Sequence, residues 1–264
     1  MMKRIFIVTG LILLLTAFQG FAADQSDLQG ISDIRFPVFK SVVKDAEILR
    51  RDSEGSSRGF SRSMMTRRSG ELTRGLVRGT SGKRETPTIP SRMVPLVPET
   101  TGLTSKSQPA LLWYVSGPCP DKMEFRVNAF KVEEPLLDTH IEGPSSEGIF
   151  RLDLAEYDVT LKPDVEYEWF LTIVLHEDDR SADYFISGTV RHKELPDDVS
   201  RRLADTPEDQ RYAVYAGAGY WYDAMDHLSR QIEADPGKSV LRRHRAKLLE
   251  QVNLPKIAVY DVGK

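Results

Sequence analysis

Acidic side chains crowd two places in this 264-residue sequence. His176-Glu177-Asp178-Asp179, with Asp183 close behind, gathers an imidazole and several carboxylates in one short stretch. Clustered hard oxygen ligands suit Ca²⁺, which makes His176, Asp178 and Asp179 the candidate metal ligands. Their spacing fits no EF-hand loop, and polar residues between two apolar runs are also what a hairpin turn requires. The turn is the preferred reading, with Arg180 available to pair with Asp183. Glu166 and Glu168 lie two apart on a predicted strand and share one face. Paired carboxylates are the machinery of glycoside hydrolysis, but acids on the wet face of a strand are the commoner occurrence, and no catalytic residue is assigned.

Other chemistries find no footing. His140, His192, His227 and His244 are scattered, with neither His-x-x-x-His nor His-Glu-x-x-His spacing, so a zinc site is not expected. No Gly-x-Ser-x-Gly elbow and no phosphate-cradling glycine loop is present, so no cofactor is expected. Gly217-x-Gly219 reads as a helix break. The one cysteine, Cys119, sits in Gly117-Pro118-Cys119-Pro120 and reads as a passive turn residue. It cannot form a disulfide within the chain.

Two groups suit binding better than catalysis. Tyr212, Tyr215, Tyr220, Trp221 and Tyr222 cluster around a predicted helix junction. They either fill a seam between helices and a β-rich body, the preferred reading, or face solvent as a partner-binding surface, since Tyr and Trp dominate interface hot spots. Residues 50–92 carry 11 Lys/Arg against 4 Asp/Glu, whereas residues 93–264 carry 20 against 30. The near-neutral total of −3 therefore hides a basic arm ahead of an acidic body. Arg67, Arg68, Arg74 and Arg78 are the anion-binding candidates in that arm, because the guanidinium fork matches phosphate and carboxylate. The arm is low in large apolar residues and is read as a disordered linker over residues 50–94.

These residues need elements to carry them. Met123, Phe125, Val127 and Ala129 alternate with Lys122, Glu124, Arg126 and Asn128, the period-2 pattern of a half-buried strand. Phe150 to Leu154, Val165 to Leu175 and Tyr184 to Val190 repeat it, and Leu111 to Val115 and Leu137 to Ile141 are weaker strand candidates. Turn residues separate the runs. Residues 95–194 are therefore expected to form an antiparallel β-sandwich. Within it, Leu161-x-Pro163-x-x-x-Tyr167-x-Trp169 resembles the corner before the sixth strand of immunoglobulin and fibronectin type III domains. After Val190 the period becomes helical. Helices are predicted over Pro196 to Ala204, from an N-cap at Thr206 to Gly217, from Tyr220 to Ala234 and from Ser239 to Asn253. Gly219-x-x-Tyr222-x-Ala224, closing at Ala234-Asp235-Pro236, resembles half a tetratricopeptide repeat, too little for a solenoid. The helical unit of residues 195–254 is thus expected to pack on the sheets, with residues 255–264 as a tail. The fold class is mainly β with C-terminal helices.

At the front, Lys3 and Arg4 precede an apolar run from Ile5 to Phe18, and Gly20 and Ala22 are small. This is the pattern of a secretory signal peptide over residues 1–22, cleaved after Ala22. The run is shorter than the ~20 residues of a membrane span, and no later stretch is apolar enough to cross a bilayer. Residues 23–49 form an N-terminal segment in which Ile34, Phe36, Val38 and Phe39 suit a short strand.

Several blocks together resemble one family: Val94 to Glu99, Pro109 to Val115, Asp179-Arg180-Ser181-Ala182-Asp183 and, most distinctively, Ala216 to Ala224. The chain is identified over about residues 73–252 as similar to the domain of unknown function 928. The resemblance implies an exported protein with no assigned activity and supplies no catalytic residues. Members often carry further cysteines, and this chain keeps only Cys119, which removes any family disulfide from the expectation. The functional reading is a periplasmic or extracellular, non-enzymatic binding or assembly module. Its partner would be another envelope protein or an anionic envelope component, not nucleic acid. An envelope glycan hydrolase or a metal-dependent enzyme is the alternative.

Overall fold

Alternation along Lys122–Ala129 puts Met123, Phe125 and Val127 at zero exposure and leaves the residues between them at the surface. The same alternation along Glu166–Ile173 buries Tyr167, Trp169, Leu171 and Ile173. Both strands gain by burying one face and hydrating the other. The computed structural model describes residues 36–41, 90–120, 122–176 and 178–264. Among these, the elements run β1 (Met93–Pro95), β2 (Gly102–Thr104), β3 (Ala110–Val115), β4 (Lys122–Ala129), β5 (Leu137–Glu142), β6 (Gly148–Asp153), β7 (Glu166–Ile173) and β8 (Tyr184–His192). Helices α1 (Asp197–Asp205), α2 (Arg211–Gly217), α3 (Trp221–Ala234), α4 (Ser239–Gln251) and α5 (Pro255–Val262) follow. The signal-peptide pattern with Ala22, and Arg67, Arg68, Arg74 and Arg78, lie outside the described residues, as does Glu177.

The strands form two sheets, in the orders β1-β3-β6 and β2-β8-β7-β4-β5. Pairing is antiparallel except for β2, which runs parallel to β8 with Gly102 opposite Val190. The apolar faces of both sheets share one core. Trp113 on β3 meets Phe125 on β4 at 6.3 Å, and Phe125 stacks on Trp169 of β7 at 5.9 Å. Such ring pairs add about 0.5–1.5 kcal/mol beyond the area they bury. At the approach to β7, Leu161 is fully buried and the Tyr167 hydroxyl accepts a hydrogen bond from the Lys162 backbone N–H at 3.1 Å.

The helices cover the outer side of the three-stranded sheet. Tyr114 of β3 packs edge-on against Tyr260 of α5 at 5.0 Å, and Arg151 of β6 pairs with Glu233 of α3 at 2.7 Å. The chain turns from α2 into α3 at Gly219, whose φ of 85° lies in the left-handed region that favours glycine.

Four expectations are corrected. Thr206 does not start a helix: its hydroxyl donates to the Arg202 carbonyl at 2.6 Å and closes α1, so α2 starts only at Arg211 after a short 3-10 turn. Residues 255–262 are a helix with Pro255 in its first turn, not a tail. Strand β1 begins at Met93, inside the segment read as linker. Residues 36–41 are extended but pair with none of the described strands: the Lys40 N–H donates to the Ala216 carbonyl of α2 at 3.1 Å, and Ile34 lies outside the described residues.

Candidate functional site

Strand alternation turns Glu124, Arg126, Glu166, Glu168, Phe170, Phe185, Ser187 and Arg191 to the outer face of the five-stranded sheet. There the polar groups brace one another across strands. Arg126 holds Asp138 of β5 at 2.6 Å. Glu166 accepts from Arg191 of β8 at 2.9 Å and from the Thr101 hydroxyl at 2.8 Å. Glu168 accepts from the Ser187 hydroxyl at 3.1 Å. Surface pairs of this kind contribute only about 0–1 kcal/mol each, so their main effect is to hold side chains in place. Among them sit Phe170 and Phe185, half-buried, with ring centroids 6.3 Å apart.

The acidic loop between β7 and β8 closes this face at one end. Arg180 donates to both oxygens of Glu124, at 3.0 and 2.6 Å, and to Asp183 at 2.5 Å. Asp179 Oδ1 accepts from the Ser181 N–H and hydroxyl at 3.1 and 2.6 Å, and these bonds hold its carboxyl below the usual range. Asp183 also receives the Leu175 N–H at 3.4 Å. Asp179 and Asp183 are thus engaged in the loop's own caps. Among the described residues no three metal-ligating side chains are gathered together. Cys119 is half-buried, and burial pushes its thiol up to about 11, so it stays protonated at neutral pH.

The aromatic group lies in the helix–sheet seam. Trp221 is wholly buried and donates its indole N–H to the Leu96 carbonyl at 2.8 Å. The Tyr222 hydroxyl donates to the Thr189 carbonyl at 2.9 Å and accepts from Trp169 Nε1 at 3.1 Å. Tyr220 donates to the Glu194 carbonyl at 2.7 Å, and Tyr212 meets His244 Nδ1 at 2.5 Å. Burial pushes the Tyr212 and Tyr220 hydroxyls up to about 12. Tyr215 alone of the five is half-buried rather than buried. Tyr212, Tyr220, Trp221 and Tyr222 are thus covered within the fold, Trp221 in part by Phe39.

Several charged side chains are buried between the elements. Asp223 on α3 accepts from the Ser105 N–H at 2.8 Å and from its hydroxyl at 2.5 Å, which ties the loop after β2 to the helix. Burial pushes the Asp223 carboxyl above its ordinary range, against those hydrogen bonds. Asp226, one turn on, holds Lys106 at 2.7 Å and Arg230 at 2.9 Å, and Arg230 continues to Asp153 of β6 at 3.0 Å. Between α4 and α5, Arg245 grips both oxygens of Asp261 at 2.7 and 2.6 Å and the Ser229 hydroxyl at 2.9 Å. The only trace of these in the sequence is an acid or base on an otherwise apolar helix face.

A further contact lies on the helices. Residues 36–41 run extended across α2, α3 and α4, with Pro37 buried, Phe39 half-buried and Phe36 and Val38 facing out. Gln251 reads this backbone with both ends of its amide: Oε1 accepts the Phe39 N–H at 2.8 Å and Nε2 donates to the Pro37 carbonyl at 2.9 Å. Phe39 stands edge-on to Trp221 at 4.9 Å and Phe36 edge-on to His244 at 5.4 Å.

Among solved structures, the chain is similar over 67% of its length to 36% of astrotactin-2, described as a conserved vertebrate-specific and perforin-like membrane protein involved in neuronal development. That match has 14% identity and a TM-score of 0.24. It is also similar over 72% of its length to 98% of a multi-domain immunophilin from Arabidopsis thaliana, at 11% identity and a TM-score of 0.14. At such scores neither likeness establishes a shared fold. No curated protein matches the sequence. Residues 69–261, which contain both sheets and nearly all of the helical layer, match the family described as Domain of Unknown Function (DUF928), and the chain belongs to that family.

Proposed function

We propose that this chain is an exported, non-enzymatic binding or assembly module of the bacterial-type envelope. The observation that carries the reading is the outer face of the five-stranded sheet. The half-buried Phe170–Phe185 pair is ringed by braced ion pairs, the arrangement of an apolar centre with a polar rim found at protein interfaces. The alternative, glycan hydrolysis, needs carboxylates free to exchange protons. Glu166 is tied to Arg191 and Thr101, and Asp179 to Ser181, which favours recognition over reaction.

Two finer fold readings accompany this proposal. The strand order, with β2 parallel to β8 and a tyrosine tied at the corner before β7, is compatible with an immunoglobulin or fibronectin III-like sandwich. Buried small residues Ala216 and Ala224 at the α2–α3 crossing are compatible with a tetratricopeptide-like unit. Folds of both kinds host many functions, so the reading rests on the face and not on the fold. Export rests on the leader pattern of residues 1–22, and the arginines of residues 50–94 suit an anionic envelope component. Among the described residues no helix is long and apolar enough to cross a membrane.

The test is a crosslinked pull-down from intact envelopes with the full chain and with residues 50–89 deleted, which leaves β1 intact, beside a glycan-hydrolysis assay of wild type and the Glu166→Gln variant. A specific envelope partner and no Glu166-dependent hydrolysis is the expected result. Hydrolysis abolished by Glu166→Gln, with no partner captured, overturns it.

A further inference from the structure

We propose that the groove formed by α2, α3 and α4 is a recognition site for an extended peptide with a proline and an aromatic two residues later, and that residues 36–41 occupy it in cis as a built-in competitor. The proposal rests on the binding-module reading and names a second surface for it.

The groove reads an extended backbone. Gln251 offers its amide as a neighbouring peptide unit would, accepting the Phe39 N–H and donating to the Pro37 carbonyl. The Ala216 carbonyl at the end of α2 accepts the next donor, the Lys40 N–H. Alternation then sorts the side chains. Pro37 and Phe39 enter, Phe39 against the edge of Trp221, while Phe36 and Val38 are 53% and 58% exposed. Proline suits this position because its nitrogen has no hydrogen to satisfy, and its fixed φ lowers the cost of ordering an extended chain.

The seated segment does not look like a structural strap. A strap that served only stability would bury its large apolar side chains, yet two of the three largest face solvent and Phe39 is half-covered. The contacts are those of a short linear peptide on a preformed groove, with main-chain hydrogen bonds for affinity and alternate pockets for choice. Two of the residues that meet the segment are anchored from beneath: Trp221 by the Leu96 carbonyl, and His244 by Tyr212. The occupant in trans is therefore a polypeptide bearing an exposed Pro-x-Phe segment. A competitor on the same chain acts at an effective concentration of at most about 1 mM. For a groove whose intrinsic Kd is about 100 μM, that competitor weakens binding in trans by up to about tenfold.

The experiment uses the full chain and a fluorescent peptide with the sequence of residues 36–41, read by anisotropy. Wild type is compared with Pro37→Gly/Phe39→Ser, which empties the groove without touching its walls, and with that variant carrying Gln251→Ala. The expected result is binding to the double variant up to about tenfold tighter than to wild type, lost on adding Gln251→Ala. In the otherwise wild-type chain, Gln251→Ala is expected to speed tryptic cleavage after Lys40 by about tenfold or more. Equal binding to wild type and double variant overturns the proposal, as does no binding to a double variant that melts as wild type does. Unfolding of the double variant also overturns it, because the segment is then structural. None of these outcomes touches capture through Phe170 and Phe185, so failure of the groove and failure of the module reading are separable.

Discussion

Asp261 gives the sharpest single test of how the last helix is held. Its carboxylate is wholly buried and faces Arg245, itself 5% exposed, through two hydrogen bonds of 2.7 and 2.6 Å, with Arg242 at 3.5 Å. Asp261→Ala removes the partner and leaves the guanidinium buried, with only the Ser229 hydroxyl still bonded to it. An uncompensated buried charge of this kind costs about 3–5 kcal/mol. With an m-value of about 2 kcal/mol/M in urea, the midpoint falls by about 1.5–2.5 M. The paired replacement Arg245→Met/Asp261→Leu removes both charges at similar volume and is expected within about 1 kcal/mol of wild type, or above it. Equilibrium urea unfolding of the three proteins, followed by tryptophan fluorescence, is the assay. A midpoint for Asp261→Ala within about 0.3 M of wild type, or a double variant worse than the single, would refute the reasoning.

Three further outcomes are expected. Tyr222→Phe keeps the ring but removes the partner of the Thr189 carbonyl and Trp169 Nε1, costing about 1–3 kcal/mol in urea unfolding; Tyr220→Phe, whose acceptor is the carbonyl of the exposed Glu194, costs less. Gly188→Ala would put a Cβ 2.8 Å from both Trp169 and Val97, and such overpacking costs about 1–3 kcal/mol, read as a lowered thermal midpoint. Burial lowers the pKa of His244, helped by Arg243. Burial also lowers that of His227, helped by Lys106 and Arg211 against Glu208 and Asp226. Below the ordinary value of 6.5 the folded chain thus binds fewer protons than the unfolded one, so stability falls as pH drops through that value towards the depressed folded pKa. His244→Gln should flatten that slope in urea titrations between about pH 7 and 5; an unchanged slope with both histidines replaced would count against it.

The strands that sequence patterning shows best are those with one wet face. β4 and β7 alternate cleanly because their outer residues meet water. β3 reads weakly for the opposite reason: helices cover one side and the second sheet the other, so Ala110–Val115 is buried throughout and has no period. β1 and β2 are three residues each, too short to show any pattern, and exist only through their partners. Helix α5 was hidden because what anchors it is tertiary: Ile257, Ala258 and Asp261 face α4, and a lone aspartate in a short segment does not announce Arg245. The aromatic group illustrates the same limit at the site. Its residue types favoured a seam but also allowed an interface, and the acceptors at Leu96, Thr189 and Glu194 put Trp221, Tyr222 and Tyr220 in the seam. The Phe170–Phe185 pair was visible as two alternating strands but not as neighbours, since register sets their proximity.

The central claim, that the outer face of the five-stranded sheet recognises a partner, is tested most directly by placing a photoreactive side chain at position 170 in the full chain and irradiating intact envelopes. A discrete crosslinked species is expected, lost when Phe185→Asp is added and unaffected by Glu166→Gln. No crosslinked species from position 170, together with hydrolysis of an envelope glycan that Glu166→Gln abolishes, would contradict the account.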